Sequence, residues 1–181
     1  MRKTFGFLCA AALLLPVGVI TASPAAAAAG TVCSKASGTG VFTPAVPKGA
    51  VTKKASKLTA TGKVLGCTGS VKSGTTKFVQ TSKPVPGNCQ TLLVVNSADK
   101  PAVGTLTIKW NNGKTSVAKG FKIKQTKATE ATTTGKITSG LFVGKVIKGT
   151  VTFKPKQGDC VNSDLKSVSY VNKSGTKFVI K

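Results

Sequence analysis

The stretch from Gly104 to Lys124, GTLTIKWNNGKTSVAKGFKIK, decides the fold. Leu106, Ile108 and Trp110 share one parity, and Thr105, Thr107 and Lys109 share the other. This is the two-residue period of a strand with one apolar face. Asn112 and Gly113 follow. They are the residues that best tolerate the positive φ a type I′ hairpin turn needs at both central positions. The return strand, Thr115 to Lys124, carries Val117, Phe121 and Ile123 on one parity. With Asn112 and Gly113 at the centre, Ile108 lies opposite Val117 and Trp110 opposite Thr115. Leu106 would then face Lys119, a mismatch in polarity, so a bulge or strand end is expected near Ala118, Lys119 and Gly120.

The same alternation recurs along the chain, and no window sustains a helical 3.6-residue period. A second hairpin is expected over Lys136 to Val146, where Ile137 and then Leu141, Phe142 and Val143 flank Thr138, Ser139 and Gly140. Thr150 to Lys154 alternates as a strand. A third hairpin runs from Val168 and Tyr170 through Asn172 to Gly175 and back along Phe178 and Ile180. Gln90 to Asn96, with its solid run Leu92 to Val95, reads as a central strand buried on both faces. Earlier strands are expected at Thr31 to Ala36, Gly40 to Thr43, Lys57 to Cys67 and Thr75 to Thr81. Pro44, Pro47, Pro84, Pro86 and Pro101 mark loops and edges. Lys72 to Val79 resembles Lys173 to Val179 in sequence, which is read as two similar turns rather than a duplication. Strands at this spacing predict an all-β fold: a single antiparallel sandwich or small barrel of about 8–10 strands.

Met1, Arg2 and Lys3 form a positive start, Phe5 to Ile20 is an apolar run, and small residues lead into Ala25 to Ala29. This layout predicts a cleaved secretory signal peptide over residues 1–29, with cleavage between Ala27 and Gly30. Residues 30–181 are then expected to form a single all-β domain. The apolar run is short for a span of about 20 residues, and no later segment is apolar enough to cross a bilayer. Cys9 lies inside the run. Cys33 lacks the preceding small residue of a lipoprotein signal. The four remaining cysteines, Cys33, Cys67, Cys89 and Cys160, predict two disulfides in an oxidising compartment. Three pairings are open and the sequence does not select among them. The expectation taken forward is Cys33–Cys67 with Cys89–Cys160, each loop contributing about 3–4.5 kcal/mol in the chain-entropy picture. Zinc is excluded because there is no histidine and no C-x-x-C pair.

Trp110 to Ser116 (WNNGKTS), followed by Gly135 to Gly144 (GKITSGLFVG), resembles a group of small secreted actinobacterial proteins. In that group a Trp-Asn-x-Gly-Lys-x-Ser turn precedes a Gly-x-Val-Thr-x-Gly-x-Phe-x-Gly segment, with cysteines around both. The resemblance spans about Val32 to Asp164. It implies export from a high-GC Gram-positive bacterium and a shared β-fold. The group has no assigned biochemical role, so the resemblance carries over no site residues. This chain is more lysine-rich than the group.

Histidine is absent and Arg2 is the only arginine. Ser-His, Cys-His and His-metal chemistry are therefore excluded. Four S-x-x-K matches occur: Ser97/Lys100, Ser116/Lys119, Ser163/Lys166 and Ser174/Lys177. A lysine base needs its serine on the same face of a helix, whereas residues three apart on a strand point to opposite faces. Asp159 and Asp164 are the only close carboxylates. With Asn162 they have the composition of a calcium loop, but the simpler reading is a loop whose Asx side chains cap the backbone. No P-loop or dinucleotide fingerprint is present. The expectation is a non-enzyme with no metal and no cofactor.

The formal net charge is +23. Removing Arg2 and Lys3 leaves 25 lysines against four acids, a surplus of 21. Lysines on solvent-facing strand positions discourage edge-to-edge pairing, but a surplus this large costs self-repulsion and points to an anionic partner. Lys109, Lys119, Lys122, Lys124, Lys145, Lys148 and Lys154 are the candidate anion-binding residues. Lysine is a point charge rather than a bidentate fork, so charge density rather than stereospecific reading is implied. The expected partner is an anionic cell-wall polymer or an anionic lipid surface. Nucleic acid is disfavoured as the intended partner, because most aromatic residues fall on core parity and leave few stacking platforms. The alternative is a secreted effector, either a membrane-active protein or a protease inhibitor presenting the stretch from Lys83 to Cys89.

Overall fold

A computed structural model of the chain describes residues 29–49, 54–84, 86–89 and 101–181. Eight strands pair antiparallel, each with its neighbour in sequence: β1 (Thr31–Val46), β3 (Lys57–Cys67), β4 (Ser73–Gln80), β6 (Ala102–Trp110), β7 (Thr115–Lys127), β8 (Glu130–Lys136), β10 (Val146–Gln157) and β11 (Leu165–Asn172). β11 returns to pair with β1, so the sheet closes. The protein is an up-and-down barrel, which resolves the choice between sandwich and barrel. Closure leaves no unpaired edge around the circumference. The short pair β2 (Lys54–Ala55) and β5 (Pro86–Gly87) forms a separate two-stranded sheet. β9 (Ser139–Gly140) adds to β7, and β12 (Phe178–Ile180) pairs with both β1 and β10. Both disulfides take the expected pairing, Cys33–Cys67 and Cys89–Cys160. The signal segment and the expected strand Gln90 to Asn96 lie outside the described residues.

The deciding hairpin forms with its register moved by one residue. Lys109 pairs with Thr115, Ile108 with Ser116 and Leu106 with Ala118. The turn is wider than expected: Trp110 N–H donates to the Lys114 carbonyl and Gly113 N–H to that of Trp110. A one-residue shift exchanges the faces of a strand. It puts Ser116 and Ala118 inside in place of Val117, and so removes the clash of Leu106 with Lys119. The bulge occurs where expected, since Thr105 pairs with Lys119 and Gly104 with Phe121. Gly120 is the extra residue, at φ 71°, a left-handed conformation that glycine adopts at low cost. Beyond it the inward parity switches to Phe121, Ile123 and Gln125.

The expected third hairpin is overturned. β11 and β12 do not pair with each other. Both run antiparallel to β1, β11 along Ser37–Val46 and β12 along Thr31–Cys33. They form one interrupted strand with residues 173–177 as an excursion. Pairing in line gives β12 two partners, β1 and β10. The two similar peptides also differ in structure: Gly74 is paired within β4 opposite Trp110, whereas Gly175 sits at φ 75° in a turn.

The segment between β8 and β10 folds across one end of the barrel. Its anchors are the motif residues. Trp110 Nε1–H donates to Ser116 Oγ at 2.8 Å, and Ser116 Oγ–H donates to the Leu141 carbonyl. Phe142 takes φ 64°, which an L-residue holds only where packing over-determines it. Its ring meets Trp110 edge to face at 5.6 Å. With Ile108, Ile137, Ile147 and Ile180, all nearly inaccessible, these residues close that end above the Cys33–Cys67 bridge.

Inside, rings lie over glycines. One inward row runs Tyr170, Gly38, Gly62, Thr76 across β11, β1, β3 and β4. The Tyr170 ring spans both glycines, and its hydroxyl would overlap a Cβ at either position. Likewise Phe78 lies over Gly104, and its ring meets that of Phe121 at 6.0 Å.

Two substitutions test this interior. In Gly104→Ala the new Cβ falls 2.6 Å from the Phe78 ring and against the Val79 carbonyl. Overpacking should cost about 1–3 kcal/mol in urea unfolding, and a change under about 0.5 kcal/mol would refute the ring-over-glycine account. Ser116→Ala strips partners from Trp110 Nε1 and the Leu141 carbonyl. It should cost about 1–3 kcal/mol and shift the emission of Trp110, the sole tryptophan.

Candidate functional site

The exterior is built from outward strand positions, most of them lysine or threonine, with Val41, Leu65 and Val171 as exposed apolar residues among them. Among the described lysines only Lys145 and Lys173 are partly buried; the rest are exposed. Every barrel strand carries at least one exposed lysine, for example Lys35 on β1, Lys63 on β3, Lys77 on β4, Lys109 on β6 and Lys166 on β11. The charge is therefore a coat around the barrel and not a single face. Its polarity pattern, polar out and apolar in, is the reverse of a membrane-spanning barrel. No helix among the described residues is long and apolar enough to cross a membrane.

The coat is densest on β7, β8 and β10. Thr134 lies between Lys122 on β7 and Lys148 on β10 in one cross-strand row. Lys136 follows two residues along β8, and Lys124 pairs with the neighbouring Thr132. With strands about 4.8 Å apart, four lysines stand at neighbouring outward positions around one threonine. Lys119 lies beside them, just before the bulge. Glu130, at the far end of β8, is held by Lys173 at 2.9 Å, the one ion pair among the described residues. The hydrogen bond from Lys173 is the main reason its carboxyl titrates below the usual range.

The seven candidate lysines are thus divided. Lys119, Lys122, Lys124 and Lys148 converge on this wall. Lys145 immediately precedes β10. Lys154 sits farther along β10 opposite Ser169. Lys109 is on β6, in a row with Lys63 across Thr75. Lys136 and Lys63 were not singled out from sequence. Only the cross-strand register reveals them, because their neighbours are distant in the chain.

The interior is of a different character. Away from the Trp110 end it holds a cavity of about 300 Å³, walled by Phe42, Leu58, Ile123, Phe153 and Val168 and reaching Tyr170. Gln80 is buried and committed to the backbone: its Oε1 accepts from Leu58 N–H at 3.0 Å and its Nε2–H donates to Ser82. Ser56 Oγ is buried without a hydrogen-bond partner. Burial raises the Tyr170 phenol above its usual range, against a smaller opposing effect of its hydrogen bond with Thr76.

The remaining candidate groups have structural roles. Ser116 is buried and occupied by Trp110 and Leu141, while Lys119 points outward. The Asp159 carboxylate accepts backbone N–H bonds from Val161, Asn162 and Ser163 at 3.0, 2.7 and 3.0 Å, and a side-chain bond from Asn162 at 2.8 Å. Asp164 accepts from Lys48 N–H at 2.9 Å. These are Asx caps that tie the loop to β1. No group of three or more His, Cys, Asp or Glu side chains fit for a metal ion occurs among the described residues. In the Lys83 to Cys89 stretch, Pro86 and Gly87 pair with β2, and Cys89 is buried in its bridge to Cys160.

Comparison of the chain with protein-family models, curated proteins and solved structures finds no significant match.

Hydrogen bonds to Asn162 and Ser163 hold the Asp159 carboxyl far below its usual range. A group with a depressed folded-state pKa stabilises above its unfolded value and loses that contribution as pH falls. Asp159→Asn should therefore lower the melting temperature at pH 7. The gap to the native protein should narrow progressively below about pH 4. A gap independent of pH between 7 and 2 would contradict this role.

Proposed function

We propose that this is a secreted, non-catalytic cationic β-barrel that associates electrostatically with anionic polymers of the cell envelope. The observation that carries the reading is the lysine coat, thickened around Thr134, where the one acid of the wall, Glu130, stands at the far end of β8 and is already paired with Lys173. An unneutralised surface of one sign attracts polyanions over roughly a Debye length and is indifferent to their fine structure. Repeating phosphodiester or carboxylate polymers outside a Gram-positive cell have that chemistry.

Four further observations support it. The two disulfides suit an oxidising compartment, and the N-terminal charge, apolar run and alanines suit export by a Sec-type signal. The motif resemblance to secreted actinobacterial proteins agrees with that compartment. All eight aromatic residues after the alanine run are buried or partly buried, none exposed, so single-stranded nucleic acid has no stacking platform and can be held only by its charge.

The test is retention of the mature protein on cell walls, anionic vesicles and DNA across a salt series. Binding to walls should disappear by about 0.5 M salt. Replacing Lys122, Lys124, Lys136 and Lys148 together by alanine should weaken wall binding at least about tenfold, since each lysine near an anionic surface contributes up to about 1 kcal/mol. Replacing Lys35, Lys63, Lys77 and Lys109 instead should weaken it less. Absence of retention on any polyanion at low salt would sink the proposal.

A further inference from the structure

The barrel interior is built quite differently from its lysine coat. Eight strands enclose a space just wide enough to be filled by side chains or to hold one small ligand. Here the two options occupy opposite ends. The Trp110 end is filled. The other end keeps about 300 Å³ unfilled behind apolar walls, at the lower limit of small-molecule sites, roughly 300–1,000 Å³. A space this size lined by Phe42, Phe153 and Val168 gains nothing for stability by staying unfilled, since its wall atoms forgo dispersion contacts.

The polar groups along this cavity are asymmetric. Gln80 is committed to Leu58 and Ser82. Ser56 is one of the lining residues, and its Oγ is buried beside the cavity with no partner. An unsatisfied buried hydroxyl costs free energy that a ligand atom can recover. Lys83 and Lys63 also line the space and are exposed to solvent, so cations stand where the cavity meets water, Lys83 next to Ser82 and Lys63 among the coat lysines. Apolar walls, one unmet hydroxyl and lysines at the rim fit an amphiphile with an acidic end.

We infer that the barrel binds one medium-chain carboxylic acid, its hydrocarbon tail against Phe42, Phe153 and Val168 and its carboxylate at Ser56 and Lys83. At roughly 30 Å³ per water-sized unit in a liquid, less when packed, the volume admits about ten to fifteen non-hydrogen atoms. This site is independent of the lysine coat, because its tail contacts are indifferent to salt.

Calorimetric titration of the mature protein with decanoic acid, and with decanol as the uncharged counterpart, tests it at low salt and at about 0.5 M salt. One site per chain is expected, persisting at high salt, with decanoate preferred. Ala60→Leu and Val151→Phe each fill the cavity from a different strand and should weaken both probes at least tenfold. At least one of the two should keep the native circular dichroism spectrum. Lys83→Ala should remove the preference for decanoate, and Ser56→Ala should weaken both probes severalfold. Tyr170 is the sole tyrosine, so its alkaline titration, followed by absorbance, should move further upward when decanol excludes water from the cavity. Three results would overturn the inference. They are no saturable binding of either probe, undiminished binding by a folded filling variant, or multi-site decanoate uptake that vanishes at high salt. The last would assign the fatty acid to the lysine coat alone.

Discussion

A closed sheet of eight strands has a fixed and narrow interior, and the rest of this structure follows from that constraint. A ring can enter only where the neighbouring strand offers no side chain. Tyr170 lies across Gly38 and Gly62, and Phe78 over Gly104. Large and small residues alternate around the inner wall, which lets the interior interdigitate at the density of a protein core. Glycine weakens an isolated strand, and here the ring packed over it offsets that weakness. Where this matching stops, beyond Tyr170 toward Phe153 and Phe42, the interior is not filled and the cavity begins.

The same closure decides the outside. Every strand presents its outward parity to water, so lysines spaced along the chain become spaced around a cylinder. The resulting repulsion favours expansion, and covalent and packing constraints oppose it. Cys33–Cys67 joins the first two strands of the barrel at its filled end. Cys89–Cys160 ties the Asp159 loop to the segment after β5. In the chain-entropy picture each bridge contributes about 3–4.5 kcal/mol, comparable to the margin by which a small domain is stable. Threonine between the lysines suits the arrangement. Its branched side chain favours a strand, and its hydroxyl adds no charge to a surface already crowded with one sign.

Much of the fold was legible in the chain. Two-residue alternation identified β3 with its bounds and placed β4 and β6 closely. The polarity conflict of Leu106 with Lys119 pointed to a bulge or strand end near Ala118, Lys119 and Gly120, and a bulge falls there at Gly120, although the register that raised the conflict is shifted by one residue. Asn112-Gly113 suggested a two-residue turn, but Trp110 and Ser116 prefer a wider one because their hydrogen bond and the Leu141 carbonyl must be satisfied inside the plug. The third hairpin was misread for a related reason. Turn residues at 172–175 say that the chain bends there. They do not say that it rejoins the same line, which depends on β1 and β10 both offering free pairing positions. Of the candidate site, the lysines were legible one by one, but not the cluster around Thr134, since Lys122, Lys136 and Lys148 meet only through the pairing of β7, β8 and β10. The unpaired Ser56 had no signal in the chain, because a free hydroxyl is a property of what surrounds it.

By itself the sequence determined the class of the fold, the sign and amount of its charge, and the absence of the side chains that most catalysis needs. These are properties of composition and of short periods, which local chain geometry reads directly. Tertiary structure alone decided that the sheet closes, that the charge surrounds it without a single face, and that one end is filled while the other holds a cavity. Each of these depends on contacts between residues far apart in the chain. Strand order and register set such contacts, and no local pattern specifies them.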